Sequence, residues 1–356
     1  MTRVTTFETW LVRVPYEEGR RFGNHVVLRL RTDDGLEGIA YVTNLTPSLI
    51  KAQRVAIESF AELVVGQDPM AVENVNAMLM ARAGFRSQFW GMARSAISVI
   101  DIALWDLKAK MTGRPLHRLL GATQDEVPVY ASWNLWWQYD LPTLARHAQE
   151  HLDGGFRQMK YRMGGVKTLA EAVERTRVLR ETVGPAVELL VDMNWSWSVN
   201  ETIERGRAMQ AYGLYWIEDP IPADDVEGLR EIARALETPI AAGETYDDAT
   251  QFRTALDRRA LDKVIVDLEV GGITPFMKIA HVVESYGKGV ASHTCTEVGA
   301  HLVAALSNGL TVEYVPWAQP LFHEVPPVKD GNLVLSDKPG LGLELDEGAL
   351  QRFALT

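Results

Sequence analysis

Val187-Glu-Leu-Leu-Val-Asp192, Leu214-Tyr-Trp-Ile-Glu218 and Pro239-Ile-Ala-Ala-Gly-Glu244 are three short apolar runs, each closed by an acid. The acids are evenly spaced, 218 − 192 = 26 and 244 − 218 = 26. A β-type run followed by a helical stretch, repeated at near-constant period, is the sequence form of a parallel β/α barrel. Strand ends on one rim of a barrel converge, so Asp192, Glu218 and Glu244 are expected in one mouth. Two unit charges about 4 Å apart repel by roughly 4 kcal/mol at an effective dielectric of about 20, so three pairs cost about 12 kcal/mol if nothing compensates them. Oxygen ligands alone point to a hard divalent cation, Mg²⁺ before Mn²⁺. One strand-end acid by itself is as readily a helix cap, but shared position and equal spacing argue against that reading for all three.

Working outward, eight β-type runs end near Ser132, Lys160, Asp192, Glu218, Glu244, Asp267, His293 and Glu313, with helical segments such as 168–182 and 227–236 between them. Before Val127 the pattern differs in kind. Strands at 4–14, 25–31 and 36–42 precede helices at about 47–65, 69–81 and 88–111, the last apolar around much of its circumference. Beyond Trp317 the chain is rich in Pro and Gly and offers no further β/α unit. The expected organisation is an α+β domain over 1–125, a barrel over 126–318 and a segment over 319–356 that returns to the first domain.

A chain of 356 residues suits a barrel of roughly 250 residues plus an appendage. Apolar content of 47% supports a large core, and a net charge of −11 argues against a nucleic-acid surface. Cys295 is the one cysteine, which excludes an intrachain disulfide and a thiolate cluster. MTRVTTFETW lacks a basic-then-apolar leader and no apolar run is long enough to span a bilayer, so a cytoplasmic protein without membrane contact is expected.

The last seven runs all end in polar or ionisable side chains. Lys160 and Arg162 are two apart on one strand and face one side of the sheet, as a clamp for a substrate carboxylate would. Neighbouring strand ends bring Asp267 within reach of His293, where a carboxylate on one ring nitrogen fixes the tautomer and raises basicity at the other. Read alone, His293 would as readily be a hydrogen-bonded structural residue.

These residues carry a resemblance. IDIALWDLKAKMTGRPLHRLLG (100–121), Lys160-Tyr161-Arg162, VDMNW, WIEDP, AAGET, VIVDLEVGGIT, ASHTCTE and VEY resemble, in order and spacing, the mandelate racemase subgroup of the enolase superfamily over nearly the whole chain. The resemblance implies a (β/α)₇β modified TIM barrel with an N-terminal α+β capping domain. It implies Mg²⁺ on Asp192, Glu218 and Glu244, and removal of a proton α to a carboxylate to give an enediolate. That superfamily's use of a Lys or His base with one or two Mg²⁺ is a known pattern. It further implies Asp267 and His293 as the acid/base dyad, Lys160 at the substrate carboxylate, and Glu313 as a protonated donor opposite the metal. Asn194 would face the substrate, and the cap near Tyr16–His25, with Arg20, Arg21 and His25, would read its distal end.

Two departures bear on function. The subgroup's usual Lys-x-Lys is here Lys160-Tyr161-Arg162. Arg holds its proton roughly 3–5 kcal/mol more tightly than Lys, which makes Arg162 a poor base and a good clamp. The interval from Asp267 to Gly271 is one shorter than usual, leaving Glu269 as the alternative carboxylate. One clear base favours elimination over racemisation: dehydration of an acid sugar, aldonate or aldarate, to a 2-keto-3-deoxy acid. A racemase or epimerase and an aldarolactone cycloisomerase are the alternatives within the mechanism, and a catalytically silent metal-binding barrel is the alternative outside it. Trp133, Trp136, Trp137 and Tyr139 after the first barrel strand form a packed lid or a wall for sugar C–H faces, with Asn134 positioned for a hydroxyl. A homo-oligomer is expected.

Overall fold

The computed structural model describes residues 2–16, 21–43, 47–84 and 90–355. The N-terminal domain opens with an antiparallel sheet of β1 (Val4–Tyr16), β2 (Arg21–Thr32) and β3 (Glu37–Thr43) in chain order. Helices α1 (Ile50–Ala61), α2 (Val72–Ala83), α3 (Trp90–Met111) and α4 (Leu116–Leu119) complete it. The all-round apolar character of α3 has a plain cause, since Ile97, Ile100, Leu104 and Leu107 are fully buried between the sheet and the barrel. Gly38 lets the sheet sit directly on α3: a Cβ there would lie 2.3 Å from the Ala103 carbonyl. Asp106 on α3 accepts hydrogen bonds from the backbone of Ile39 (2.9 Å) and Leu341 (2.8 Å), tying cap, helix and C-terminal segment together.

The second domain is a closed parallel barrel. Strands β4 (Glu126–Ala131), β5 (Gln158–Arg162), β6 (Glu188–Asp192), β7 (Leu214–Glu218), β8 (Ile240–Ala242), β9 (Lys263–Asp267), β10 (Gly289–His293) and β11 (Gly309–Tyr314) pair in order, and β11 returns to β4 through Val312 and Val129. One helix follows each of the first seven strands: α5 (Leu141–Asp153), α6 (Leu169–Val183), α7 (Val199–Met209), α8 (Val226–Ala235), α9 (Ala249–Asp257), α10 (Ile273–Ser285) and α11 (Thr296–Ala305). No barrel helix follows β11 among the described residues, so the (β/α)₇β expectation is met. Side-chain caps start α5 to α9, from Asp140, Thr168, Ser198, Asp225 and Asp248.

Inside the barrel, Tyr130, Leu190, Trp216, Ala241, Ile265 and Ala291 form one fully buried layer. Side chains repeat every second residue along a strand, so a step of two from that layer reaches Ser132, Asp192, Glu218, Asp267 and His293 on the rim. The fifth barrel strand departs from expectation. β8 ends at Ala242, because Gly243 turns the chain at φ 128° against the Ile265 carbonyl, 2.6 Å from where a Cβ would stand. Glu244 therefore sits just past the strand, on a loop.

The segment beyond residue 319 touches both domains. Its strand β13 (Asn332–Val334) adds antiparallel to β4 and pairs in turn with β12 (Val328–Lys329), and after α12 (Glu347–Arg352) Leu355 donates to the Leu11 carbonyl at 2.8 Å. No helix among the described residues is long and apolar enough to cross a membrane.

Candidate active site

At the rim, β5, β6 and β7 pair Arg162 with Asp192 and Asp192 with Glu218. Lys160, fully buried one layer down, points its ammonium into this group. It contacts Glu218, with Glu313 Oε1 at 3.0 Å and Asp192 Oδ2 at 3.7 Å. Burial would strip its proton, but Glu218 and Glu313 outweigh burial and hold the Lys160 pKa well above its ordinary value. Arg162 donates to the Ser132 carbonyl (2.9 Å) and hydroxyl (3.2 Å), and lies 3.4 Å from Asp192 and 3.5 Å from Glu313. It remains a guanidinium, since burial is again outweighed by Asp192 and Glu313.

Across the mouth, His293 Nδ1 contacts Asp267 Oδ2, while Nε2 lies 3.2 Å from Glu244 Oε2 and 3.6 Å from Glu313 Oε2. The strand register sets this pair directly, Asp267 opposite His293. Burial opposes a charged ring, yet Glu244, Glu313 and Asp267 together raise the His293 pKa well above its ordinary value. Glu269 lies outside the contact, so Asp267 and not the alternative carboxylate partners the histidine.

Two expectations change. Glu313 is not protonated here: burial would raise its carboxyl, but Lys160, His293 and Arg162, with the Ser132 hydroxyl donating at 2.5 Å, hold it well below the usual carboxylate range. Asn194 gives its backbone N–H (2.8 Å) and side-chain amide (3.1 Å) to Asp192 and so orients that acid. The three spaced acids face one another in the mouth, where Asp192 and Glu244 both act on Glu218. Among the described residues no three His, Cys, Asp or Glu side chains stand as a ready ligand set; Lys160 contacts Glu218 and Asp192, and His293 contacts Glu244.

The donor set nonetheless fits a hard cation. Three carboxylates stand at consecutive strand ends, and burial with mutual repulsion pushes Glu218 up to about 8 and raises Glu244. That is the unmet charge a divalent ion relieves.

The comparisons decide the family. Residues 143–349 match the enolase C-terminal domain-like family, and residues 5–121 the mandelate racemase / muconate lactonizing enzyme N-terminal domain. The chain belongs to the mandelate racemase subgroup of the enolase superfamily. It is 35% identical to the L-talarate/galactarate dehydratase of Salmonella typhimurium over 93% of this chain and 83% of that one. It is 30% identical to the 3,6-anhydro-alpha-L-galactonate cycloisomerase of Streptomyces coelicolor, over 93% and 91%. The crystal structure of L-talarate dehydratase from Polaromonas sp. JS666, complexed with Mg and L-glucarate, superposes with a TM-score of 0.92 at 30% identity, covering 100% of this chain and 98% of that one. This member of the superfamily is an enzyme, and membership carries the shared half-reaction, removal of a proton α to a carboxylate.

The cap residues of this superfamily member sit differently from expectation. Arg20 lies outside the described residues. His25 is fully buried, with Nδ1 3.1 Å from Thr43 Oγ1 and Nε2 3.1 Å from the Trp317 carbonyl, so both ring nitrogens are engaged inside the protein. Arg21 reaches the barrel, 4.3 Å from the Trp136 ring centroid, and Arg162 stacks on the same ring at 4.4 Å. Asn134 takes a left-handed φ of 59°, gives its carbonyl to His147, and keeps Oδ1 buried without a hydrogen bond. Trp133 packs on His151, Phe156 and Tyr314, the lid reading, while Trp137 is exposed and crowds Gly165.

Sequence reasoning missed four contributors. Ser132 bridges Glu313 and Arg162, and was visible only as a strand end. Trp216 donates to Glu218 at 2.9 Å. Thr294, at a left-handed φ of 47°, gives its N–H to Glu313 (2.9 Å) and its hydroxyl to Asp267 (3.4 Å). Asp219 is buried beside Glu218 with Oδ1 unpaired. Only its adjacency in WIEDP offered a signal.

Proposed function

We propose that this enzyme dehydrates an acid sugar to its 2-keto-3-deoxy acid, a hydro-lyase reaction. The observation that carries the reading is the asymmetry of the mouth. A carboxylate-backed imidazole stands on one side, and on the other stand a guanidinium and an ammonium, both locked in their charged forms.

Asp192, Glu218 and Glu244 would hold Mg²⁺, with Mn²⁺ as a substitute. When bound, the ion supplies positive charge to the carboxylate whose α-carbon is deprotonated. Lys160 and Arg162 bind and orient that carboxylate, the guanidinium as a planar fork. Asp267 on Nδ1 fixes the tautomer of His293 and leaves Nε2 as the nitrogen that exchanges the proton. His293 takes the α-proton. The C–H electron pair enters the enolised carboxylate and then returns to form the α,β double bond. The β-hydroxyl leaves with its bonding pair and takes a proton back from His293. The resulting enol tautomerises to the keto acid. Glu313, in contact with Lys160, Arg162 and His293, positions all three side chains.

Two properties of its relatives support this reading: the Salmonella protein is named a dehydratase, and the Polaromonas structure holds Mg with L-glucarate. Cycloisomerisation shares the proton removal and has the Streptomyces relative in its favour. The test is a panel of acid sugars and their lactones assayed for keto-acid formation with Mg²⁺ and again after exhaustive chelation. Keto acid that appears only with metal is the expected result. Lactone consumption without keto acid would favour the cycloisomerase, and full activity without metal would sink both.

A further inference from the structure

The loop between β4 and α5, residues 132–140, is irregular, yet each carbonyl from Ser132 to Trp136 has a donor. Arg162 on β5 takes two of them, the Ser132 carbonyl with its guanidinium and the Leu135 carbonyl with its backbone N–H, both at 2.9 Å. From α5, His151 donates to the Trp133 carbonyl and His147 to that of Asn134, each at 2.8 Å. Arg175 of α6 donates to the carbonyls of Trp136 (3.2 Å) and Tyr139 (2.8 Å). Within this frame Asn134 turns the chain at its left-handed φ of 59°. A loop held in this way by three neighbouring elements presents its side chains in one fixed arrangement.

What it presents to the clamp is the ring of Trp136. The guanidinium carbon of Arg162 stands 4.4 Å from the ring centre. The nitrogens are engaged around the edge of the group: Nη1 and Nη2 with Ser132, Nε 3.4 Å from Asp192, and Nη2 3.5 Å from Glu313. A guanidinium grips a carboxylate through two N–H groups in one plane, so the tilt of that plane decides whether both reach. An aromatic ring against its face resists tilting, and the attraction is stronger where water is excluded. The Arg162 side chain is 11% exposed. An ammonium has no plane to set, which gives the ring a use with Arg at this position that it would not have with Lys.

The same ring also receives the cap. The guanidinium carbon of Arg21, at the start of β2, lies 4.3 Å from its centre. Cap strand, barrel loop and clamp therefore meet on one indole. Trp133, three residues earlier, packs instead on His151, Phe156 and Tyr314, so the two tryptophans of this loop serve different ends.

We propose that Trp136 is a positioning residue for the reaction, its ring setting the plane in which Arg162 offers its N–H groups to the substrate carboxylate. The inference rests on the dehydratase reading, in which Arg162 is the clamp, and adds the residue that orients it.

The test uses the Mg²⁺-loaded enzyme and an acid sugar turned over in the panel above, with kcat and KM measured separately. Trp136→Leu removes the ring but keeps apolar bulk. It should raise KM about tenfold, equivalent to about 1.4 kcal/mol, while kcat changes by less than about threefold. Trp136→Phe, which keeps an aromatic face and is the milder change for folding, should restore most of the lost affinity. In the Arg162→Met background no guanidinium remains to be oriented, so Trp136→Leu should add almost nothing there. A further loss of about tenfold in that background would show the indole acting independently of the clamp. Equal losses in kcat and KM that Trp136→Phe does not restore would show a packing role alone. Either result overturns the inference and leaves the dehydratase reading intact. If no acid sugar in the panel reacts or exchanges its α-proton, the dehydratase reading falls and this inference with it.

Discussion

Two buried regions of this molecule hold histidines in opposite states. On the barrel rim, His293 faces Glu244, Glu313 and Asp267, which together outweigh burial and raise its pKa. At the seam between cap, barrel and C-terminal segment, His25 lies against the Thr43 hydroxyl, the Trp317 carbonyl and the Tyr41 ring, and His301 against the Leu341 carbonyl and the ring of His117. There burial wins, and their pKa values fall to about 4 and about 3. The side chain is the same; the anions facing the ring differ. Crowded charge at the rim is matched only among its own members, ready to be redistributed when a metal and an anion arrive. At the seam His25 and His301 meet hydroxyl, carbonyl and ring partners.

Removing the rim histidine is the sharpest way to break the contrast. His293→Asn keeps shape but cannot take a proton at neutral pH, so kcat should fall by about 10²–10⁴ while thermal unfolding stays near wild type. A variant with wild-type kcat would shift the base to Lys160. The next largest effect lies at the other end of the rim. Lys160→Met leaves Glu313 buried without its ammonium and should cost about 3–5 kcal/mol in denaturant unfolding of the metal-free protein. Little loss there would mean that Glu313 is already neutral. Arg162 comes third: Arg162→Met should cost about 2–4 kcal/mol in kcat/KM, and Arg162→Lys less and chiefly in KM. A loss confined to kcat would contradict the clamp.

The smallest expected effect belongs to the seam. His301 binds no proton when folded until well below the unfolded value of 6.5, so its contribution is present above about pH 6.5 and is lost as pH falls toward 3. Between pH 7 and pH 4.5 that loss is about 2 kcal/mol. His301→Gln should lose about that much less stability than wild type over the same interval, as read by urea unfolding. Parallel curves would show that the ring is not held neutral.

Sequence made the rim legible because register places it. Two-residue alternation along paired strands fixes where Asp192, Glu218, Asp267 and His293 must point, and period alone locates the strands. Glu244 was found in sequence although it sits past its strand, since Gly243 moves it by one residue without taking it off the rim. What escaped depends on contacts between distant segments. His25 is locked by Thr43 and Trp317, residues that no spacing rule joins to it. Asn194 turns back on Asp192 because its backbone is left-handed, and Glu313 stays ionised because two cations from β5 face it. The hydrogen-bonded run of Gln53, Ser95 and Glu269 joins two cap helices to a barrel turn and has no signature along the chain.

We propose that the base stands on one side of the mouth, at His293. This is tested most directly by incubating the Mg²⁺-loaded enzyme with a reacting acid sugar in D₂O and examining recovered substrate by NMR before the reaction completes. The account predicts deuterium at the α-carbon, if exchange occurs at all, with configuration unchanged, alongside deuterated keto-acid product. Appearance of the opposite α-epimer at a rate comparable to product formation would require a second base facing the other side, and would contradict the assignment.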